Sequence, residues 1–173
     1  MIADHSSARV AAAVLAAIAT WPADAHVTMV PAEAASGAPV ELRLRVPHGC
    51  DGAATIALRV KIPDDVQSVK VEQKSGWRVQ IRKRALATPR TSDHRAPQAD
   101  TVDEVEWRGG PLGDGLYEDF GLLASLPAAP GRTIYFPVVQ ECEKGVSRWI
   151  ELPQPGVERQ EHPAPGVKVL PRP

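Results

Sequence analysis

The sequence predicts an all-β protein built as a single antiparallel β-sandwich. Apolar and polar residues alternate with a period of two, and clusters of turn residues separate the alternating runs. No convincing stretch has the 3.6-residue period of an amphipathic helix. Short strands separated by turns rich in Gly and Pro are typical of sandwiches, and a chain of 173 residues suits one domain.

The N-terminal residues 1–25 are predicted to be a signal peptide. Arg9 precedes an apolar run over 10–18, and the small-residue sequence Ala23-Asp24-Ala25 follows it. The run is about half the length that a membrane-spanning helix needs, roughly 20 residues. We therefore expect cleavage after Ala25, a periplasmic or secreted protein, and no membrane anchor in the mature chain.

The expected domain occupies residues 26–152. Its clearest strand is 40–46, where Val and Leu alternate with Glu and Arg, and the same pattern recurs at 56–62 and 77–81. Further strands are expected over 102–107, 117–126, 133–139 and 147–152.

Two segments lack this pattern. Residues 87–100 are polar and without periodicity, which indicates a long mobile loop. Residues 153–173 contain six prolines, so we expect a Pro-rich tail that wraps the domain or stays extended and pairs little with other strands.

Charge and motif content exclude several functions. Removing Arg9 from the 20 basic residues, and Asp4 and Asp24 from the 21 acidic ones, leaves 19 of each in the mature chain. A chain with no net charge lacks the excess of positive charge that is typical of proteins that bind nucleic acid. No nucleophile motif, phosphate-binding loop or zinc-protease spacing is present, so we expect a protein that is not an enzyme.

The mature chain has two cysteines, Cys50 and Cys142. In an oxidising compartment such a pair usually forms a disulfide bond. The alternative is thiolate ligation of copper or zinc together with His48.

His26 becomes the first residue after the predicted cleavage. An N-terminal histidine offers its α-amine and its imidazole Nδ1 to one ion, and nitrogen donors in a tetragonal arrangement suit Cu(II) best. Metal binding can displace the protons of an α-amine and an imidazole. The alternative is that His26 only begins the first strand.

A series of motifs occurs in a specific order along the mature chain, although each motif is weak alone. The motifs are His26-Val-Thr-Met-Val-Pro31, Arg45-Val-Pro-His-Gly-Cys50, Lys74-Ser-Gly-Trp77, Glu104-Val-Glu-Trp-Arg-Gly-Gly110, Tyr117-Glu-Asp-Phe120, Phe136-Pro-Val-Val-Gln-Glu-Cys-Glu-Lys-Gly145, Trp149-Ile-Glu151 and Glu161-His-Pro-Ala-Pro165. This series resembles the YcnI-like copper-binding domain family. The resemblance implies an extracytoplasmic sandwich of cupredoxin-like or immunoglobulin-like build with a role in copper handling.

The resemblance also implies a metal site. His26 matches the chelating N-terminal histidine, and Trp149 matches a tryptophan that lies close to the ion. The alternative for Trp149 is a core anchor on the last strand, and the two roles are compatible. Better-described members have a carboxylate just after an early Val-Pro, where this chain has His48, so His48 is the expected substitute ligand. A site without a carboxylate would favour Cu(I) relatively more, although Cu(II) remains the expected ion. The other histidines of the mature chain, His94 and His162, are expected to be solvated.

The function implied is copper storage, trafficking or delivery, with copper-handling proteins of the same compartment as partners. Two alternatives stay open. One is a copper-dependent oxidative enzyme, because the donor set also resembles the copper brace of lytic polysaccharide oxygenases. The other is a metal-free interaction sandwich in which His26 is incidental.

Overall fold

The computed structural model describes residues 26–92, 95–157 and 159–172. The predicted signal peptide, residues 1–25, and His94 lie outside these residues. The prediction of an all-β fold is confirmed, because every described element is a strand. Nothing in these ranges forms a helix with the length and apolar character needed to cross a membrane.

Twelve strands are present in the described residues. They are β1 Thr28–Val30, β2 Glu33–Ala35, β3 Pro39–Val46, β4 Thr55–Lys61, β5 Ser68–Val71, β6 Trp77–Ser92, β7 Arg95–Leu112, β8 Glu118–Ser125, β9 Thr133–Tyr135, β10 Val138–Cys142, β11 Val146–Trp149 and β12 Gly166–Leu170.

The strands form three sheets. The first has the order β1-β3-β8-β5, the second β11-β10-β4-β7-β6, and a small third sheet β2-β12-β9. All pairs are antiparallel except β2 with β12. Strands β1 and β11 are each the edge strand of a large sheet. Of the residues predicted for the metal site, His26 lies just before β1 and Trp149 lies at the end of β11.

The core lies between the two large sheets. The predicted alternation of buried and exposed side chains along β3 is confirmed. Leu42, Leu44 and Val46 are buried, while Glu41 and Arg43 are exposed. Across the interface, the ring of Phe120 on β8 meets Trp107 on β7 at 5.4 Å and Trp77 on β6 at 5.0 Å, both edge to face. This aromatic group joins the sheets at the centre of the sandwich.

The prediction of a loop over 87–100 is wrong. The described part of that segment continues the β6–β7 hairpin, with Arg90 opposite Gln98. Most of its side chains are exposed, so the ladder has no buried face and the sequence no apolar period. Backbone pairing between the two strands continues the hairpin through this segment. The Arg90 guanidinium also anchors the segment by donating hydrogen bonds to the carbonyls of Val66 and Gln67.

The C-terminal segment 153–173 contains a strand that the proline count obscured. Between Pro165 and Pro171 lie five residues without proline, Gly166–Leu170, and they form β12. Val167 and Val169 are buried while Lys168 is exposed, which is the alternation of a half-buried strand. Residues 166–170 are therefore part of the folded domain.

Candidate functional site

His26 and Trp149 meet where the edges of the two large sheets come together. His26 is half-buried two residues before β1, and Trp149 is the buried last residue of β11. Their ring centroids are 5.5 Å apart with an interplanar angle of 67°, an edge contact. The structure thus brings together two of the residues that the sequence predicted for one site.

The indole of Trp149 is fixed by Gln140 on the neighbouring strand β10. Trp149 Nε1 donates to Gln140 Oε1 at 2.9 Å, and Gln140 Nε2 donates to the His48 carbonyl and to Thr55 Oγ1, each at 2.8 Å. Gln140 is almost completely buried, so these bonds form away from water. The indole N–H already donates a hydrogen bond to Gln140, so the contact with His26 is made by the ring of Trp149.

His48 lies on the turn after β3 and is half-buried. Its carbonyl accepts the bond from Gln140, and its Nδ1 is in hydrogen-bonding contact with the Gly49 carbonyl. These contacts connect His48 to Trp149 through its backbone and through Gln140. That the imidazole of His48 binds a metal stays a prediction.

A second histidine packs on Trp149. We call residues 159–165 the C-terminal strap, and its His162 ring lies 5.3 Å from the Trp149 ring at 80°. His162 is exposed, as the sequence predicted, but its ring lies against the indole and is not simply solvated. The motif Glu161-His-Pro-Ala-Pro165 was the available signal for this position, although nothing in it specified a tryptophan contact.

The strap is held in place by Glu151, two residues after Trp149. Glu151 N donates to the His162 carbonyl at 3.1 Å, Ala164 N donates to the Glu151 carbonyl at 2.9 Å, and His162 N donates to Glu151 Oε2 at 2.8 Å. These bonds form a short parallel bridge between Glu151 and Pro163. The strap therefore keeps a fixed register against Trp149.

An open cavity of about 380 Å³ lies beside His26. Its other described lining residues, Arg159, Gln160 and Glu161, all come from the strap. A larger cavity of about 470 Å³ shares these three residues and is also lined by Ile150 and Glu151. The strap and His26 thus form the walls of one depression in the surface.

The donor groups of the described residues limit how a metal could bind. They contain no group of three or more His, Cys, Asp or Glu side chains arranged to hold an ion. Cys50 and Cys142 form a disulfide bond, so the alternative of thiolate ligation is wrong for this structure. A site built on His26 stays a prediction, because its two nitrogen donors would come from one residue only after the predicted cleavage at Ala25.

We expect Gln140→Leu to lower the free energy of unfolding by about 1–3 kcal/mol. The substitution preserves side-chain size but leaves the buried Trp149 N–H and Thr55 hydroxyl without the partner seen here, and an orphaned buried donor costs about this much. Chemical denaturation measures the change. Gln73→Leu, at an exposed position, is the control, and equal effects of the two substitutions would contradict a stabilising role for this network.

Comparison with known proteins agrees with the sandwich and does not name an activity. A crystal structure of an uncharacterized protein from Nocardia farcinica, described as having an immunoglobulin-like fold, is similar to this chain with a TM-score of 0.64 and 28% identity. The match covers 84% of this chain and 98% of that one. A search of curated proteins found no match. The sequence model of a family described as a domain of unknown function, DUF1775, matches residues 26–169. The chain therefore belongs to the DUF1775 family, which is the YcnI-like family of the sequence resemblance.

Proposed function

We propose that the mature protein binds copper in the periplasm or outside the cell and stores it or passes it to another protein, without catalysing a reaction. The observation that carries the proposal is the position of His26. Its imidazole lies against the buried ring of Trp149 and at the wall of an open cavity. Copper is the cargo in this proposal and not a resident cofactor.

The chemistry depends on removal of residues 1–25. Cleavage after Ala25 would convert the nitrogen of His26 from a peptide amide into an amine, and the amine and imidazole could then chelate one ion. The Cys50–Cys142 disulfide supports this location, since disulfides persist in oxidising compartments. Contact with Trp149 limits the motion of the imidazole, which reduces the entropy lost when the metal binds.

The test is a Cu(II) titration of three proteins, followed by electron paramagnetic resonance. The first begins at His26, the second is the same protein with the α-amine of His26 acetylated, and the third carries His48→Ala in the first background. We expect the first protein to bind one ion with nitrogen hyperfine structure and the second to lose this signal. The His48→Ala protein decides whether that imidazole is a further ligand.

Two results would contradict the proposal. If the acetylated protein binds copper as the first does, the amine is not a ligand. If copper leaves the melting temperature of the first protein unchanged at saturating concentration, the metal-free interaction domain is favoured, because a ligand that binds only the native state must stabilise it.

A further inference from the structure

The cavity beside His26 contains a carboxylate that the sequence did not associate with the site. Glu161 lines this cavity together with His26, although the two residues are far apart in the chain. At position 48 the chain has histidine, so the turn after β3 supplies no acid there. Glu161 thus provides a carboxylate residue in the lining of a cavity that His26 also lines.

The backbone next to Glu161 is fixed by the rest of the fold. His162, the following residue, uses both its N–H and its carbonyl in bonds to Glu151. Further along, Ala164 and Pro165 are buried, and the Pro165 carbonyl accepts a bond from Phe136 N at 2.8 Å. Because these anchors follow Glu161 directly, its Cα has a defined place at the cavity wall.

The side chain of Glu161 is available for a ligand. Within the described ranges it is exposed and enters no ion pair or hydrogen bond, whereas an oxygen of the Glu151 carboxylate is occupied by His162 N. Carboxylate oxygen is a suitable third donor beside the two nitrogens of His26 around Cu(II). The Glu161 carboxylate would also offset the positive charge of the site. An amine and a neutral imidazole leave both charges of the Cu(II) ion uncompensated, and Arg159 adds another cation to the cavity wall.

We propose that Glu161 supplies an oxygen ligand to the copper ion held by His26, so that the C-terminal strap completes the site in place of an acid at position 48. This inference rests on the proposed function. It assigns the strap a direct part in metal binding, and it makes the mature site more favourable to Cu(II) than a site of neutral donors alone.

The test compares three proteins that all begin at His26: the parent, Glu161→Gln and Glu143→Gln. Gln keeps the size of the side chain and removes its charge, and Glu143 is an exposed acid on the turn after β10 that serves as the matched control. Cu(II) affinity is measured by competition with a chelator, and the ligand set by electron paramagnetic resonance. Melting temperatures without metal establish that the three proteins fold equally well.

We expect Glu161→Gln to lower the affinity at least about tenfold, the scale on which even outer-sphere partners of a metal act, and to change the spectrum. Glu143→Gln should match the parent in both measurements. The inference is overturned if Glu161→Gln binds as the parent does, or if its affinity falls without a spectral change, since the carboxylate would then act only through its charge. If the parent itself binds no copper, the proposed function fails together with this inference. If the parent binds copper and Glu161→Gln binds it equally well, only the role of Glu161 fails.

Discussion

Replacing both cysteines, Cys50→Ser with Cys142→Ser, is expected to lower the free energy of unfolding by about 4 kcal/mol. The disulfide closes a loop with a sequence separation of 92 residues, and a cross-link of this length restricts the unfolded chain strongly in the chain-entropy model. The bond also joins the turn after β3 to the end of β10, the strand that carries Gln140. Its loss removes a connection between the two sides of the candidate site.

Chemical denaturation with and without a reducing agent measures this effect. The reducing agent should destabilise the parent and leave the double variant unchanged, because only the parent has a bond to lose. A parent that unfolds at the same denaturant concentration under both conditions, with reduction verified by thiol titration, would contradict the prediction.

Phe120→Ala is expected to lower the free energy of unfolding by about 3–5 kcal/mol. The ring of Phe120 has no exposed surface and lies against both Trp77 and Trp107, so its removal leaves a cavity between the sheets in addition to the lost burial. Phe120 also belongs to the strand pair β3–β8, where Leu44 is its partner. The cavity would therefore open at the centre of the core, where the surroundings collapse least easily.

The control for this substitution is on the same strand. Leu123 is 40% exposed, and Leu123→Ala should cost less than about 1 kcal/mol because little apolar surface is lost and no cavity forms. Urea or guanidinium denaturation of both variants gives the comparison. A Phe120→Ala variant no less stable than Leu123→Ala would show that the aromatic contacts between the sheets contribute little to stability.

The long, strongly alternating strands could be predicted from the sequence, and the short ones could not. Strand β3 alternates over its whole length, so its buried face was evident from the residues alone. Strands β1 and β2 have three residues each, too few to establish a period. Strand β12 shows alternation, but the surrounding prolines indicated a tail, and only its partners β2 and β9 make it a strand.

Local signals in the sequence indicated only some residues of the candidate site: His26 from the small residues before it, and Trp149 from the family resemblance. The two rings are in contact, and their binding of a metal stays a prediction. The positions of His162 and Glu161 depend on the backbone bonds of Glu151 to the strap, which are contacts between segments with no signal in either one alone. The same holds for Gln140, since a glutamine in an alternating strand does not reveal that its amide serves three partners.

The length of the β6–β7 hairpin has a consequence for how the protein behaves at high concentration. Strand β6 forms the edge of its sheet, and a long exposed edge ordinarily invites another chain to add a strand. Here Pro89 on β6 and Pro97 on β7 each remove a backbone N–H, and the exposed side chains of Arg82 and Lys83 form ion pairs with Glu104 and Asp100 on β7. The ribbon that the sequence suggested was a loop therefore lengthens the sheet while its prolines disfavour the addition of a further strand from another molecule.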